Sequence, residues 1–313
     1  MKTNWIHWGN SVKETSRTGP MIVSIFLCGS IVVLLAAVAY SARPESSKLP
    51  LEANRAEAAS VIRQALDSPT ESADVRSQLA EAGARAAQLL GDDSLIAKDL
   101  IDAANRARQP DYELVSARED LLKAHGILTF QPLMEAELPR GYPTPGPLGE
   151  IRVKEYPAYR MAVAKGGGSA FWSLFMHIKR NDIAMTAPVE MSYGDPESTD
   201  PTEQNMAFLY GAPEMGKLGT DGNVEVIDAE PVKVVSIGFN GRRSDTKIEQ
   251  ARDQLMAWLG ERSHYEVSGE LRVLGYNSPF VPRDQQYWEV QVPIREKNNS
   301  VRGGLVENRA NSS

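Results

Sequence analysis

The chain has 313 residues, which is longer than one typical domain, and its composition of 42% hydrophobic and 24% charged residues is that of a globular protein. The formal net charge is −7, and no basic patch follows residue 40. These properties argue against nucleic-acid binding and predict two or three structural units.

A long uncharged segment lies near the amino end. Residues 20–40 read PMIVSIFLCGSIVVLLAAVAY, and about 20 apolar residues are enough for a helix that crosses a bilayer core of roughly 30 Å. The basic residues before it predict that residues 1–19 stay in the cytoplasm and that the chain after the anchor is exported. Ala37 and Ala39 leave a cleaved signal peptide as the alternative, but the length of the run favours a retained anchor.

Residues 50–125 are rich in alanine and charged side chains and have helical periodicity. Apolar residues recur at intervals of three and four in one stripe, Val75, Leu79, Ala82, Ala86 and Leu89, and in a second, Ile96, Leu100, Ile101, Ala104 and Ala107. We expect an α-helical spacer, a small bundle or coiled coil without catalytic residues. A partner-binding module that supports self-association is the alternative, since small alanine faces also pack against other chains. Residues 138–149, LPRGYPTPGPLG, predict a Pro/Gly linker.

From residue 150 the pattern becomes that of strands, interrupted by a helix with a stripe of apolar residues at Phe171, Leu174 and Phe175. The segment 181–191, NDIAMTAPVEM, alternates like a further strand. Proline cannot donate a ladder hydrogen bond, so Pro188 predicts that this strand lies at an edge or a bulge.

The strand pattern repeats. VEVIDAEPVKVVSIGFNG, from Val224, aligns without a gap with IRVKEYPAYRMAVAKGGG, from Ile151, and each copy leads into a helix. The repeat predicts two βαββ halves that share one core.

The segment NDIAMTAPVEM resembles the signature of the SOUL haem-binding protein family. EYPAYRMA, AFWSLFMHI, GFNG at 238–241 and YNSPF at 276–280 follow in the family's order, and the resemblance covers about residues 147–296. It implies an α+β domain at 150–296, an antiparallel sheet or distorted β-barrel of two βαββ halves with two helices, and reversible binding of haem or another tetrapyrrole. We expect residues 297–313 to form a disordered tail.

The sequence departs from the family at one place. The usual Asn-Glu-Val-Trp is matched by Gln-Gln-Tyr-Trp, residues 285–288, so a carboxylate that members often have there is missing. Any chemistry that depends on that carboxylate is in doubt.

A flat tetrapyrrole needs an apolar slot, and methionine adapts to irregular apolar surfaces. We predict a slot with side chains from the first helix, the signature segment and the second helix: Phe171, Leu174, Phe175, Met185, Met191, Leu255, Met256 and Leu259. The alternative for each is an ordinary core position.

Polar candidates surround this predicted slot. His177 is the candidate axial ligand, with a surface or hydrogen-bonded histidine as the alternative. Lys165, in KGGGS before the first helix, is the candidate partner of the propionates, because a helix amino end suits carboxylates. Alternative cations at the rim are Lys179, Arg180, Arg242 and Arg243. No Cys-x-x-Cys-His motif is present in the sequence, so any haem is bound non-covalently.

The sequence thus predicts an exported, membrane-anchored protein that binds a tetrapyrrole. One alternative is a small-ligand-binding or protein-interaction module of the same fold without haem, and another is a hydrolase on a related fold, by analogy. We expect no enzymatic activity, because no Ser-His-Asp, Cys-His or metal-ligand set stands out.

Overall fold

The structure, a computed structural model, describes residues 46–69, 74–198 and 202–297. All of them lie within one compact unit, Pro44–Ser313. The predicted anchor at 20–40 and nearly all of the predicted tail lie outside the described residues. Among the helices in the described ranges, none has the length and apolar character needed to span a bilayer.

Four helices form the region predicted as a spacer: α1 (Ala53–Leu66), α2 (Val75–Leu90), α3 (Leu95–Ala107) and α4 (Leu114–Thr129). Their core is built mainly from alanine and leucine, and most of both predicted stripes is buried in it. The Ser94 hydroxyl caps α3 by accepting a hydrogen bond from the backbone N–H of Ala97 at 3.1 Å. The small side chains let the helices pack closely, so these residues form a helical bundle.

Two short strands, β1 (Ser47–Lys48) and β2 (Leu133–Met134), pair before the main sheet begins. The main sheet has ten strands, and all of its strand pairs are antiparallel. They are β3 (Ile151–Tyr156), β4 (Tyr159–Lys165), β5 (Val189–Ser192), β6 (Asn205–Leu209), β7 (Gly219–Asp221), β8 (Val224–Ala229), β9 (Val232–Asn240), β10 (Tyr265–Val267), β11 (Arg272–Gly275) and β12 (Tyr287–Glu296). The sheet order is β3-β9-β12-β11-β5-β6-β4-β8-β7, and β10 pairs with β12. With helices α5 (Ala170–Arg180) and α6 (Asp245–Gly260), this is an α+β domain.

The hydrogen-bond register reproduces the sequence repeat. Arg152 of β3 pairs with Ser236 of β9, and the residues equivalent to them at an offset of 73, Glu225 and Val163, pair with each other in β8 and β4. Strands β3, β9, β12 and β11 of one half correspond to β8, β4, β6 and β5 of the other half. From the two outer strands of these eight towards the centre of the sheet, corresponding strands follow in the same order, and β7 and β10 lie outside this correspondence. The two halves are therefore related by a pseudo-twofold axis, which passes between β5 and β11.

The signature segment is shorter as a strand than the sequence predicts. Only Val189–Ser192 pairs, and this strand lies inside the sheet between β6 and β11. The prediction of an edge strand or a bulge was wrong, because Pro188 lies just before the first paired residue, where its missing N–H breaks no ladder bond.

Both helices of the domain lie on one face of the sheet, the helix face. Met191 packs with α6, and Val189, which points to the same face of β5, packs with α5. Residues that alternate with them, such as Glu190, lie on the opposite face, the inner face. The α+β architecture expected from the family is therefore present, with its two helices on the same side.

The helical bundle contacts the domain through a buried arginine. Arg55 donates hydrogen bonds to the backbone oxygens of Ile127 (2.9 Å) and Leu148 (3.1 Å) and lies 3.4 Å from Glu150 Oε1. The Ser94 hydroxyl donates to the same Glu150 oxygen at 2.6 Å. The bundle thus fixes the carboxyl end of the Pro/Gly segment where it enters the domain.

Candidate functional site

The inner face carries a row of buried polar side chains, although the same strands present apolar residues to the helices. Arg272 of β11 donates through Nη2 to Glu190 Oε2 of β5 at 2.9 Å, and the Tyr159 hydroxyl donates to the same oxygen at 3.0 Å. Gln291 and Glu289 of β12 continue the row and are fully buried. A buried ion pair of this kind persists only when hydrogen bonds satisfy its remaining groups.

The charge state of this row follows from its surroundings. Burial alone would lower the pKa of Arg272, but Glu190 and the neighbouring tyrosines outweigh it and raise that pKa above its ordinary value. Burial and then the charge of Glu190 raise the pKa of Tyr159. The inner face therefore holds a permanent arginine cation beside neutral tyrosine hydroxyls.

One half of the inner face is closed by the segment that precedes β3. Glu289 accepts hydrogen bonds from the backbone N–H of Gly146 (2.8 Å) and the Tyr276 hydroxyl (2.9 Å), and it forms an ion pair with Lys154. Tyr142 and Leu148 of the same segment are buried there. The predicted linker therefore covers a large part of this face.

The other half holds an open groove of about 330 Å³, the inner-face groove. Its apolar lining consists of Met161, Val163, Met206, Ala207, Ile227 and Pro293, and its polar lining of Glu190, Ser192, Asn205, Glu270 and Arg272. This volume is at the lower end for small-molecule sites, and apolar walls with a few polar groups are typical of them. The groove is therefore a candidate binding site of the domain.

The predicted slot residues lie on the helix face, opposite this groove. Phe171, Leu174 and Phe175 pack in one cluster beneath α5. Met191, Leu255, Met256 and Leu259 belong to a separate cluster beneath α6. Met206 contacts both clusters, but the structure does not bring the two sets of side chains into one slot.

The remaining predicted site residues lie outside those clusters or have other partners. Met185 is 39% exposed and Lys165 is also exposed. Ser169 makes no side-chain cap at the amino end of α5. The role of Lys165 as a propionate partner remains a prediction.

His177 is buried, and both of its ring nitrogens have partners. Nδ1 lies 2.7 Å from Asp221 Oδ2, and Nε2 lies 2.8 Å from the Tyr210 hydroxyl. The hydrogen bond with His177, with Arg180 adding, lowers the pKa of Asp221. An ionised Asp221 favours a proton on Nδ1, which leaves Nε2 to accept from Tyr210. Axial ligation by His177 would require the loss of one of these bonds.

Sequence reasoning missed the buried polar residues of the inner face, of which Arg272 lines the groove. Arg272 is the polar residue of an otherwise apolar strand, and Glu289 and Gln291 alternate with apolar residues in the last strand. Such isolated polar residues were the available signal. Within the described ranges, no group of three or more His, Cys, Asp and Glu residues could hold a metal ion.

Comparisons with known proteins identify the family of the C-terminal region. Residues 149–293 match the sequence model of the family described as SOUL heme-binding protein, which confirms the resemblance for that region. No curated protein matches the chain.

Three solved structures show what distant likeness the fold has. The EcmrR C-terminal domain is 16% identical, with 47% of this chain and 98% of that chain covered and a TM-score of 0.37. A hydrolase from Listeria innocua is 12% identical, with 48% of this chain and 94% of that chain covered and a TM-score of 0.35. An integron cassette protein from Vibrio cholerae is 11% identical, with 46% of this chain and 95% of that chain covered and a TM-score of 0.26.

Proposed function

Since residues 149–293 form a domain of the SOUL heme-binding protein family, we propose that this domain binds a tetrapyrrole non-covalently in the inner-face groove. The apolar lining of the groove is the observation that supports this placement. The helix-face clusters are less suitable, because Leu174 and Leu255 are fully buried against the sheet by their own helices.

The residues present fit a ligand held by enclosure rather than by coordination. Val163, Met161 and Ile227 offer apolar contact for one side of a flat ring system. Burying apolar area at about 25 cal/mol per Å² gives such a ring several kcal/mol, against which the entropy cost of binding must be set. His177 lies elsewhere and is already hydrogen-bonded. When haem is the ligand, it supplies its own iron chemistry, and the chain supplies a partly water-excluded surface.

A small-ligand binder without haem is the second candidate, and the charges of the groove favour it. The groove has two carboxylates, Glu190 and Glu270, and one arginine, Arg272, which is already paired. A dianionic ligand gains little from this set, so its carboxylates would remain at the solvent-exposed rim. We propose a binding role rather than catalysis for either ligand.

We also propose that the chain is a single-pass membrane protein with residues 41–313 outside the cytoplasm. The support is the apolar run at 20–40 and the basic residues before it. The ligand would then be met outside the cytoplasm.

A hemin titration tests the binding proposal. The full chain in lipid nanodiscs is titrated against empty nanodiscs as a baseline, and the Soret band is followed. Val163→Trp fills the groove and should weaken hemin binding at least about tenfold, which is about 1.4 kcal/mol. Val153→Trp is the matched control, because Val153 is exposed on β3 outside the groove lining. Equal affinity of both variants and the wild type would place the ligand elsewhere, and no saturable binding by the wild type would refute haem binding.

A further inference from the structure

Two fully buried polar atoms on the inner face have no hydrogen-bond partner among the described residues. They are Nε of Arg272 and Oε1 of Gln291. The two residues are direct cross-strand partners in β11 and β12 and share the inner face, so their Cβ atoms are about 5 Å apart. Buried polar groups are nearly always hydrogen-bonded, and here a donor and an acceptor are left over side by side.

The amide of Gln291 is oriented by its neighbours. Its Nε2 donates to the Tyr156 hydroxyl at 2.7 Å and to Glu289 Oε2 at 3.3 Å. Turning the amide over would place its carbonyl oxygen against the Glu289 carboxylate, which can only accept. Oε1 is therefore the acceptor that remains.

The guanidinium of Arg272 is oriented in the same way. Its Nη2 donates to Glu190 Oε2 and, at 3.4 Å, to the Tyr142 hydroxyl. Those contacts hold the planar group in place, and the Nε–H is its buried donor without a partner. Arg272 and Pro293, the next inner-face residue after Gln291 on β12, both line the groove. The unpaired donor thus belongs to a residue that lines the groove, and the unpaired acceptor belongs to its buried cross-strand partner.

We propose that the inner-face groove recognises a neutral cis-amide, a lactam, whose C=O accepts from Arg272 Nε–H and whose adjacent N–H donates to Gln291 Oε1. A carboxylate would satisfy Arg272, but it would leave Gln291 unpaired and be repelled by Glu190 and Glu289. An amine would satisfy only Gln291. A lactam provides both groups without adding charge.

This inference deepens the proposed function and rests on it for the ligand class. Open-chain tetrapyrroles end in lactam rings, whereas the closed ring of haem has no lactam. The groove therefore favours an open-chain tetrapyrrole, with one end ring at Arg272 and Gln291 and the propionates at the rim. Because the groove is small, one end of the ligand enters it and the rest lies along the opening.

The first test compares biliverdin and hemin on the full chain in nanodiscs, by absorbance and by quenching of tryptophan fluorescence. Arg272→Lys keeps a cation beside Glu190 but removes the Nε–H, so biliverdin affinity should fall about tenfold while hemin affinity changes less than about twofold. Arg106→Lys is the matched control, because Arg106 is paired with Asp120 in the helical bundle. Equal losses for both ligands, or binding of hemin without biliverdin, would overturn the lactam proposal and leave tetrapyrrole binding intact.

The second test changes the ligand, so it does not depend on how a variant folds. 2-Pyrrolidinone should compete with biliverdin, whereas N-methyl-2-pyrrolidinone, which lacks the N–H, should not. Equal competition by both would mean that no donor meets Gln291, as expected if an ordered water bridges the two residues.

If neither hemin nor biliverdin binds, the proposed function fails, and a third measurement still decides the lactam proposal. In ¹⁵N-arginine-labelled protein, the Arg272 Nε–H signal, assigned by its loss in Arg272→Lys, should shift on addition of 2-pyrrolidinone. An unchanged signal at saturating fragment would overturn the proposal.

Discussion

Glu190 and Arg272 occupy equivalent positions in the two halves of the sheet and form an ion pair across the pseudo-twofold axis, with Arg272 Nη2 2.9 Å from Glu190 Oε2. The register shows the equivalence from the repeat partners Val163 and Ser236. Val163 pairs with Ala207, which pairs with Glu190, and Ser236 pairs with Gln291, which pairs with Arg272. The repeat thus placed two different residues at one structural position and gave them opposite charges. This ion pair crosses the pseudo-twofold axis. Two identical halves could not form it, because both positions would then carry the same charge.

Removing one member of this pair should destabilise the domain strongly. Glu190→Ala leaves the Arg272 charge buried without its carboxylate, so we expect the free energy of unfolding to fall by about 3–5 kcal/mol. The double variant Glu190→Leu, Arg272→Met should recover most of that loss, because it removes both charges. Urea unfolding of the two singles and the double measures the coupling, and additive losses would contradict a buried pair.

His177 should matter for stability and little for ligand binding. His177→Ala leaves the buried Tyr210 hydroxyl without its nitrogen partner, so we expect a loss of about 1–3 kcal/mol in the free energy of unfolding. The Soret spectrum with hemin should stay nearly unchanged, since the imidazole is occupied by Asp221 and Tyr210. Met176→Ala, an exposed change on the same helix, is the control. Loss of hemin binding in a folded His177→Ala protein would instead support axial ligation.

Glu150 should make the stability depend on pH. Burial raises the pKa of Glu150, although the hydrogen bond from Ser94 and the charge of Arg55 oppose the shift. The folded state therefore binds this proton more tightly than the unfolded state, so its contribution to stability is lost as pH rises from about 4.5 through the raised pKa. Glu150→Gln should flatten the decline measured by urea unfolding at several pH values. Glu119→Gln, an exposed change in the bundle, should leave the slope as it is.

The membrane orientation can be tested in cells. The basic amino flank and the run at 20–40 predict that the C-terminal domain lies outside the cytoplasm. Protease added to intact spheroplasts should then digest the domain, as followed with an antibody against it, while a cytoplasmic marker stays whole. Protection of the domain until the membrane is lysed would reverse the orientation.

The repeat could be predicted from sequence alone, because the alternation of apolar and polar residues along each strand is visible in the sequence. Side chains alternate between the two faces, so the gapless offset of 73 residues preserved which positions face the helices, and the pairs Arg152–Ser236 and Val163–Glu225 confirm it. The position of β5 in the middle of the sheet could not be predicted in this way. Its neighbours β6 and β11 come later in the chain, and Pro188 suggested an edge.

The candidate site was harder to predict for a related reason. Apolar helix residues such as Leu174 and Leu255 suit a ligand wall and a packed core equally well, and the structure buries both in the core. The alternation of residues 181–191 shows that Glu190 lies on the side of the strand opposite to Met191, but its partner Arg272 comes from the other half of the repeat. Nothing local shows which part of the inner face the preceding segment covers.

The covering segment leaves one of the two halves of the inner face open. A duplicated sheet offers two equivalent depressions, but in one of them Lys154 stands where Ile227 stands in the other. Lys154 donates to the backbone oxygen of Thr144 at 2.9 Å, so the chain fills this depression with its own residues. We therefore expect a titration with the proposed ligand to saturate at one equivalent per chain.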